Sequence, residues 1–205
     1  MRKDNLNRLV KISLLSVIGF VLMFIEVSIP LFPSFLQMDI SDLPALIGSF
    51  ALGPTAGIAI ELVKNILHGV FDGKTAFIGE LANFLVGSVF VFTAGYIYEK
   101  KKSKKTAVYG LIIGALFMTA AASVLNYILF LPLYEKVLNF PMSAVIGMAN
   151  KVNPNVTDLN GVIVWAIAPF NMIKGVILLV LTMAVYKSVS PILHDEGKKE
   201  LLKSN

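Results

Sequence analysis

The chain has 205 residues, 56% hydrophobic and 15% charged, with a mean hydropathy of +0.76 and a formal net charge of +5. Soluble domains carry about 25% charged residues, so the composition excludes an ordinary soluble domain and points to one integral membrane domain. With no cysteine, disulfide frameworks, thiolate metal sites and cysteine nucleophiles are also excluded.

The first apolar run covers residues 9–29. It follows Met1-Arg2-Lys3, as a signal peptide would, but it contains Glu26 and leads into Pro30-Leu31-Phe32-Pro33 rather than a small-residue cleavage site. The expectation is a retained first helix. Residues 43–52 form a short apolar segment, which Gly53-Pro54 separates from residues 54–71; it is expected to be a short helix packed inside the bundle. Further segments fall at 76–98, 106–131 and 160–187. Spanning a bilayer takes about 20 apolar residues, and the total is an all-α membrane protein with six transmembrane helices. Between the last two lies a long connection, in which 141–152 is expected to form a short helix on the mouth of the bundle. The loop 30–41 after the first helix is long enough to serve as a lid.

The basic residues fix the expected orientation. Arg2, Lys3, Arg8 and Lys11, the lysines at 100–102, 104 and 105, and Lys187, Lys198, Lys199 and Lys203 all fall on one face of a six-helix topology. The opposite loops hold Lys74, Lys136 and Lys151 beside Asp39, Asp42, Asp72, Glu135 and Asp158. Under the positive-inside rule both termini are expected in the cytoplasm. The same bias accounts for the high isoelectric point with no nucleic-acid partner.

Lys174 is the most informative residue. No other charge lies between Asp158 and Lys187, so its ammonium sits roughly 20 Å from either end of the helix at ~1.5 Å per residue. Its stem cannot carry the charge to water, and the ammonium must face a cavity, a partner or a ligand. Asn171 lies one turn before it. The other polar residues within apolar segments are Glu26, Glu61, Lys64, Asn65, His68, Glu80, Asn83 and Asn126. Most cluster toward the outer face, which suggests a polar pocket open to the outside. Glu61 and Lys64 read as a mutual pair, His68 as structural, and Glu80 as the carboxylate expected to neutralise Lys174. Tyr134 and Trp165 suit an aromatic belt.

Side-chain amides offer a donor and an acceptor together, matching the alternating edge of a pyrimidine-like ring. The only arginines are Arg2 and Arg8, so a phosphate-rich ligand is not expected. The run 69-GVFDGKT-75 imitates a P-loop but has three residues, not four, between its glycines. Asn155-Val156-Thr157 matches a glycosylation sequon without consequence here. There is no HExxH or GxSxG motif, and the two histidines, His68 and His194, are far apart; no catalytic activity is expected.

The stretches 37-QMDISDLPALIGSFALGPTAG-57, 125-LNYILFLPLYEKVLNF-140 and 165-WAIAPFNMIKG-175 resemble the riboflavin-binding membrane subunits, or S components, of energy-coupling factor (ECF) vitamin transporters. The resemblance runs the length of the chain. It implies the six-helix S-component fold with a site near the outer face. Riboflavin is then the transported substrate, with no cofactor. Residue by residue, it carries vitamin contacts onto Asn126, Asn171 and Lys174, onto Asn83 on the fourth helix, and onto Gln37, Met38 and Asp39 in the lid loop. It also implies a transmembrane coupling protein and two cytosolic ATPases in a prokaryotic cell membrane. Where S components often carry Ala-x-x-x-Ala on the first helix, this chain has Ser13, Ser16 and Gly19. The competing readings are an S component for another vitamin and an ion-coupled secondary transporter acting alone; the second predicts inverted repeats, and none is visible.

Overall fold

The computed structural model describes residues 3–203, with side-chain surroundings for residues 5–186. Arg2 lies outside the described residues. So do the side chains of Lys3, Lys187, His194, Lys198, Lys199 and Lys203.

Among the described residues the fold is all-α apart from one minimal hairpin. Its elements are α1 (Lys3–Met23), β1 (Val27–Ser28), β2 (Gln37–Met38), α2 (Asp42–Leu52), α3 (Pro54–Phe71), α4 (Ile78–Lys100), α5 (Lys104–Leu125), α6 (Leu131–Leu138), α7 (Met142–Val152), α8 (Leu159–Val162) and α9 (Ala168–Lys203). π-Helical segments at Asn126–Phe130 and Ile163–Ile167 join α5 to α6 and α8 to α9. Among the described residues, four stretches are long and apolar enough to cross a membrane: Asn5–Met23, Ile78–Lys100, Lys104–Leu138 and Leu159–Tyr186.

The first helix ends at Met23, short of the end of the apolar run that suggested it. Ile25, Val27 and Ile29 are β-branched and alternate with other residues, a pattern that suits extended chain. Val27 pairs with Met38 and Ser28 with Gln37, antiparallel. Residues 24–41 thus form a folded-back loop, and Glu26 belongs to it rather than to a helix.

At ~1.5 Å per residue, the eleven residues of α2 make roughly 16 Å, half the ~30 Å of a bilayer core. It survives as a helix because α1, α3, α4 and α9 all pack around it. Ala45 and Leu46 are fully buried, and Ser49 donates to the carbonyl of Val91 at 2.7 Å. Gly53, at φ 95°, makes the turn into α3, with Pro54 at the first helical position, where its missing N–H costs nothing.

Two larger packed regions follow, beside a small one of Phe32, Met38 and Phe170. Toward the termini, Phe50, Phe90, Tyr98, Leu111 and Leu178 form the main core. At the opposite end, α7 lies over the bundle, with Val145 and Ala149 packed against Ala122, Val162 and Ile167.

Candidate functional site

A cavity of about 760 Å³ opens at the end of the bundle away from the termini. This lies within the ~300–1,000 Å³ typical of small-molecule sites. One wall is the loop, through Ser34, Phe35, Leu36 and Gln37; another is α4, through Ala82, Asn83, Val86 and Gly87. Asn126, Asn171 and Lys174 come from the helices carrying the two π-segments.

Proline explains those segments. Pro132 and Pro169 lack the N–H that an α-helix would use, so the backbone widens just before each. The N–H of Leu131 reaches the carbonyl of Asn126, and that of Ala168 reaches Ile163, both five residues back. Such bulges are frequent at functional sites. Here one begins at Asn126 and the other ends four residues before Asn171. Both asparagines donate one amide N–H to their own helix: Asn126 to Ala122 at 2.8 Å and Asn171 to Ile167 at 2.9 Å. Each keeps an acceptor oxygen and a second N–H. Asn83 already accepts from Asn65 at 3.4 Å, which leaves its amide donors.

Lys174 does not pair with Glu80, as its isolation suggested. Its ammonium lies 3.0 Å from Asp39 Oδ2 and 3.1 Å from Asp42 Oδ2. Glu80 is taken instead by His68, whose Nδ1 is 2.9 Å from Oε1, and by Thr75, whose hydroxyl donates to Oε2. The cause is local backbone. The α3–α4 turn passes through Ala76 and Phe77 in the left-handed region, at φ 48° and 65°. It sets Thr75 and Glu80 on one side of the mouth, against the end of α3. His68 therefore lines the cavity and holds a site carboxylate, beyond its expected structural role. Lys74 pairs with Asp72 at 2.8 Å in the same turn.

Glu61 and Lys64 do pair, at 2.9 Å, but Lys64 is shared: it also binds Asp42 Oδ1 and donates to Ser41 Oγ at 2.9 Å. Both Glu61 oxygens lack an aligned hydrogen bond, so that contact is an ion pair only. Asp39, Asp42, Lys64 and Lys174 form one buried network at the base of the loop. Burial opposes ionisation of Asp39, but Lys174 beside it and the Ser41 hydrogen bonds hold its carboxyl below the ordinary range.

Of the residues singled out in the sequence, Gln37, Asp39, Glu80, Asn83, Asn126, Asn171 and Lys174 all border the cavity. Met38 does not: it is buried against Phe32 and Phe170. Asp42 was missed, read only as a loop charge. The signal was present, because two lysines in apolar helices need counter-ions, and Asp39 and Asp42 stand one turn apart at the entrance of the most buried helix.

Comparison with known proteins agrees along most of the chain. Residues 7–186 match the family model of the ECF transporter substrate-specific component. The chain is similar to "Riboflavin transporter RibU" of Staphylococcus aureus (strain TCH60), 41% identical, covering 92% of this chain and 95% of that protein. It is also similar to "Riboflavin transporter FmnP" of Bacillus subtilis (strain 168), 35% identical over 90% and 93%. A solved S component of a bacterial ECF transporter superposes with a TM-score of 0.72 at 38% identity, covering 92% of this chain and 98% of that one. The chain is a member of the ECF transporter family of substrate-specific components, and hence a transport protein rather than an enzyme.

Proposed function

We propose that this chain captures riboflavin from outside a prokaryotic cell and delivers it inward as the substrate-binding subunit of an ECF importer. The observation that carries the reading is a cavity of about 760 Å³ lined by three asparagines, in a chain whose relatives are named riboflavin transporters. Asn126 and Asn171 each present an acceptor and a donor, the combination that the edge of an isoalloxazine ring requires. Asn83 and Gln37 complete the polar contacts, and Phe35, Val86 and Leu131 supply apolar faces for the ring.

In this reading the chain spans the membrane six times, with α2 and α3 completing what the four long stretches begin, and both termini are cytoplasmic. The cavity then faces outward. The chain has no nucleotide-binding loop of its own, so inward release is driven by partners: a transmembrane coupling protein and two cytosolic ATPases.

Reconstitution in liposomes tests the partner half of the reading. Riboflavin uptake should require the coupling protein, both ATPases and ATP. Uptake by this chain alone under an ion gradient would instead establish a secondary transporter.

A further inference from the structure

The ionic network at the base of the loop is divided atom by atom. Asp39 Oδ1 accepts from the backbone N–H of Ser41 at 2.8 Å and from the Ser41 hydroxyl. Its other oxygen, Oδ2, accepts from Lys174 at 3.0 Å. Asp42 is shared in the same way: Oδ1 faces Lys64 and Oδ2 lies 3.1 Å from Lys174.

This division has a mechanical consequence. If the Asp39–Lys174 contact parts, Asp39 keeps its two hydrogen bonds from Ser41 and Lys174 keeps Asp42. Neither charge is left buried and alone, the situation that makes breaking a buried ion pair strongly unfavourable. By contrast, losing Asp42 would strip a partner from two lysines at once. One aspartate is therefore dispensable to the fold and the other is not. The dispensable one directly follows β2, whose Gln37 borders the cavity.

We propose that Asp39 is a positioning residue, a releasable latch that ties the loop 24–41 to α9 through Lys174, while Asp42 is the standing counter-ion that keeps Lys174 in place when the latch is open. The latch limits how far the loop 24–41 can swing from the mouth, and with it how readily a solute reaches the cavity wall. It rests on the riboflavin reading only for the identity of what enters.

The chain has no cysteine, so one can be placed at will. Ala82→Cys puts a thiol on the α4 wall of the cavity. Its labelling by a water-soluble maleimide, in the ligand-free protein, reads accessibility directly. Adding Asp39→Asn should speed labelling by roughly tenfold, as loss of ~1.4 kcal/mol from the latch implies. Asp39→Glu, which retains the charge, should restore much of the slow rate. In a Lys174→Met background, Asp39→Asn should add nothing further. Thermal unfolding of the ligand-free Asp39→Asn protein should stay close to that of the parent, whereas Asp42→Asn should unfold at a clearly lower temperature.

Equal labelling rates with and without the Asp39→Asn substitution would overturn the latch, as would an undiminished effect of Asp39→Asn in the Lys174→Met background. With riboflavin, the latch predicts faster association and faster dissociation together in Asp39→Asn. A change in dissociation alone would make Asp39 a ligand contact and overturn the proposal. If the unmutated chain failed to bind riboflavin, the labelling result would still stand, and only the substrate reading would fall.

Discussion

The two ends of the bundle are built on different physics. Toward the termini the helices meet through small residues and aromatic rings. A Cβ on Gly110 would lie 2.7 Å from the carbonyl oxygen of Ala94, so α4 and α5 touch backbone to backbone. Phe50 and Tyr98 pack with ring centroids 4.5 Å apart, and the hydroxyls of Tyr98 and Tyr186 meet at 3.1 Å. At the cavity end an apolar cluster under α7 remains, but the base of the loop, α2, α3 and α9 are joined by buried ion pairs among Asp39, Asp42, Lys64 and Lys174. Dispersion and shape serve where nothing has to move. Charges that can exchange partners serve where a ligand has to enter.

That contrast can be broken or sharpened by substitution. The largest effect is expected from Asp42→Ala, which removes a buried carboxylate from two lysines. It should cost about 3–5 kcal/mol of stability, the usual result of breaking a buried pair, seen as a large fall in unfolding temperature in detergent. A fall no larger than that of a surface substitution would mean that the network does not hold the cavity end together.

Next is Gly110→Val. Overpacking of about 1–3 kcal/mol should lower stability while leaving the affinity of the folded fraction for riboflavin unaltered, since Gly110 is remote from the cavity. Reduced affinity would show that the two ends are coupled. Asn171→Ala should do the reverse, weakening binding by roughly 1–3 kcal/mol through loss of a buried polar partner, with little effect on stability; titration of the two variants side by side separates the regions.

The smallest effect concerns pH. Lys174 and Ser41 favour the ionised form of Asp39, so its folded value lies below the ordinary ~3.9. Its ion pair with Lys174 is fully present above that ordinary value and is lost only as pH falls through the lower folded value. Normalised to a free thiol at the same pH, because the thiolate is the reacting form, maleimide labelling of the Ala82→Cys protein should thus not change between about pH 5 and 8. A rise in that normalised labelling as pH drops within the window would place the controlling carboxylate elsewhere.

Much of this was legible in the sequence. Pro54–Phe71 forms the helix its Gly-Pro boundary announced, and Met142–Val152 the short helix expected in the long connection. The isolated charge of Lys174 and the amides of Asn83, Asn126 and Asn171 do converge on one cavity. Pairing was less legible. Lys174 and Glu80 looked like natural partners by depth, but the left-handed turn at Ala76–Phe77 sends Glu80 to His68, and no periodicity reports that. The end of α1 was hidden because an apolar run reads alike as helix or extended chain. Asp42 was hidden because a charge at a helix start looks solvated until the elements around it are known. The π-segments follow from Pro132 and Pro169, yet whether a helix kinks, ends or widens at a proline is decided by its neighbours.

The most direct test of the central claim is equilibrium titration of the purified chain with riboflavin, followed by quenching of flavin fluorescence. Saturation at one flavin per chain, with affinity weakened in Asn171→Ala, is the predicted result. No quenching by the well-folded protein would contradict the assignment of the cavity to riboflavin.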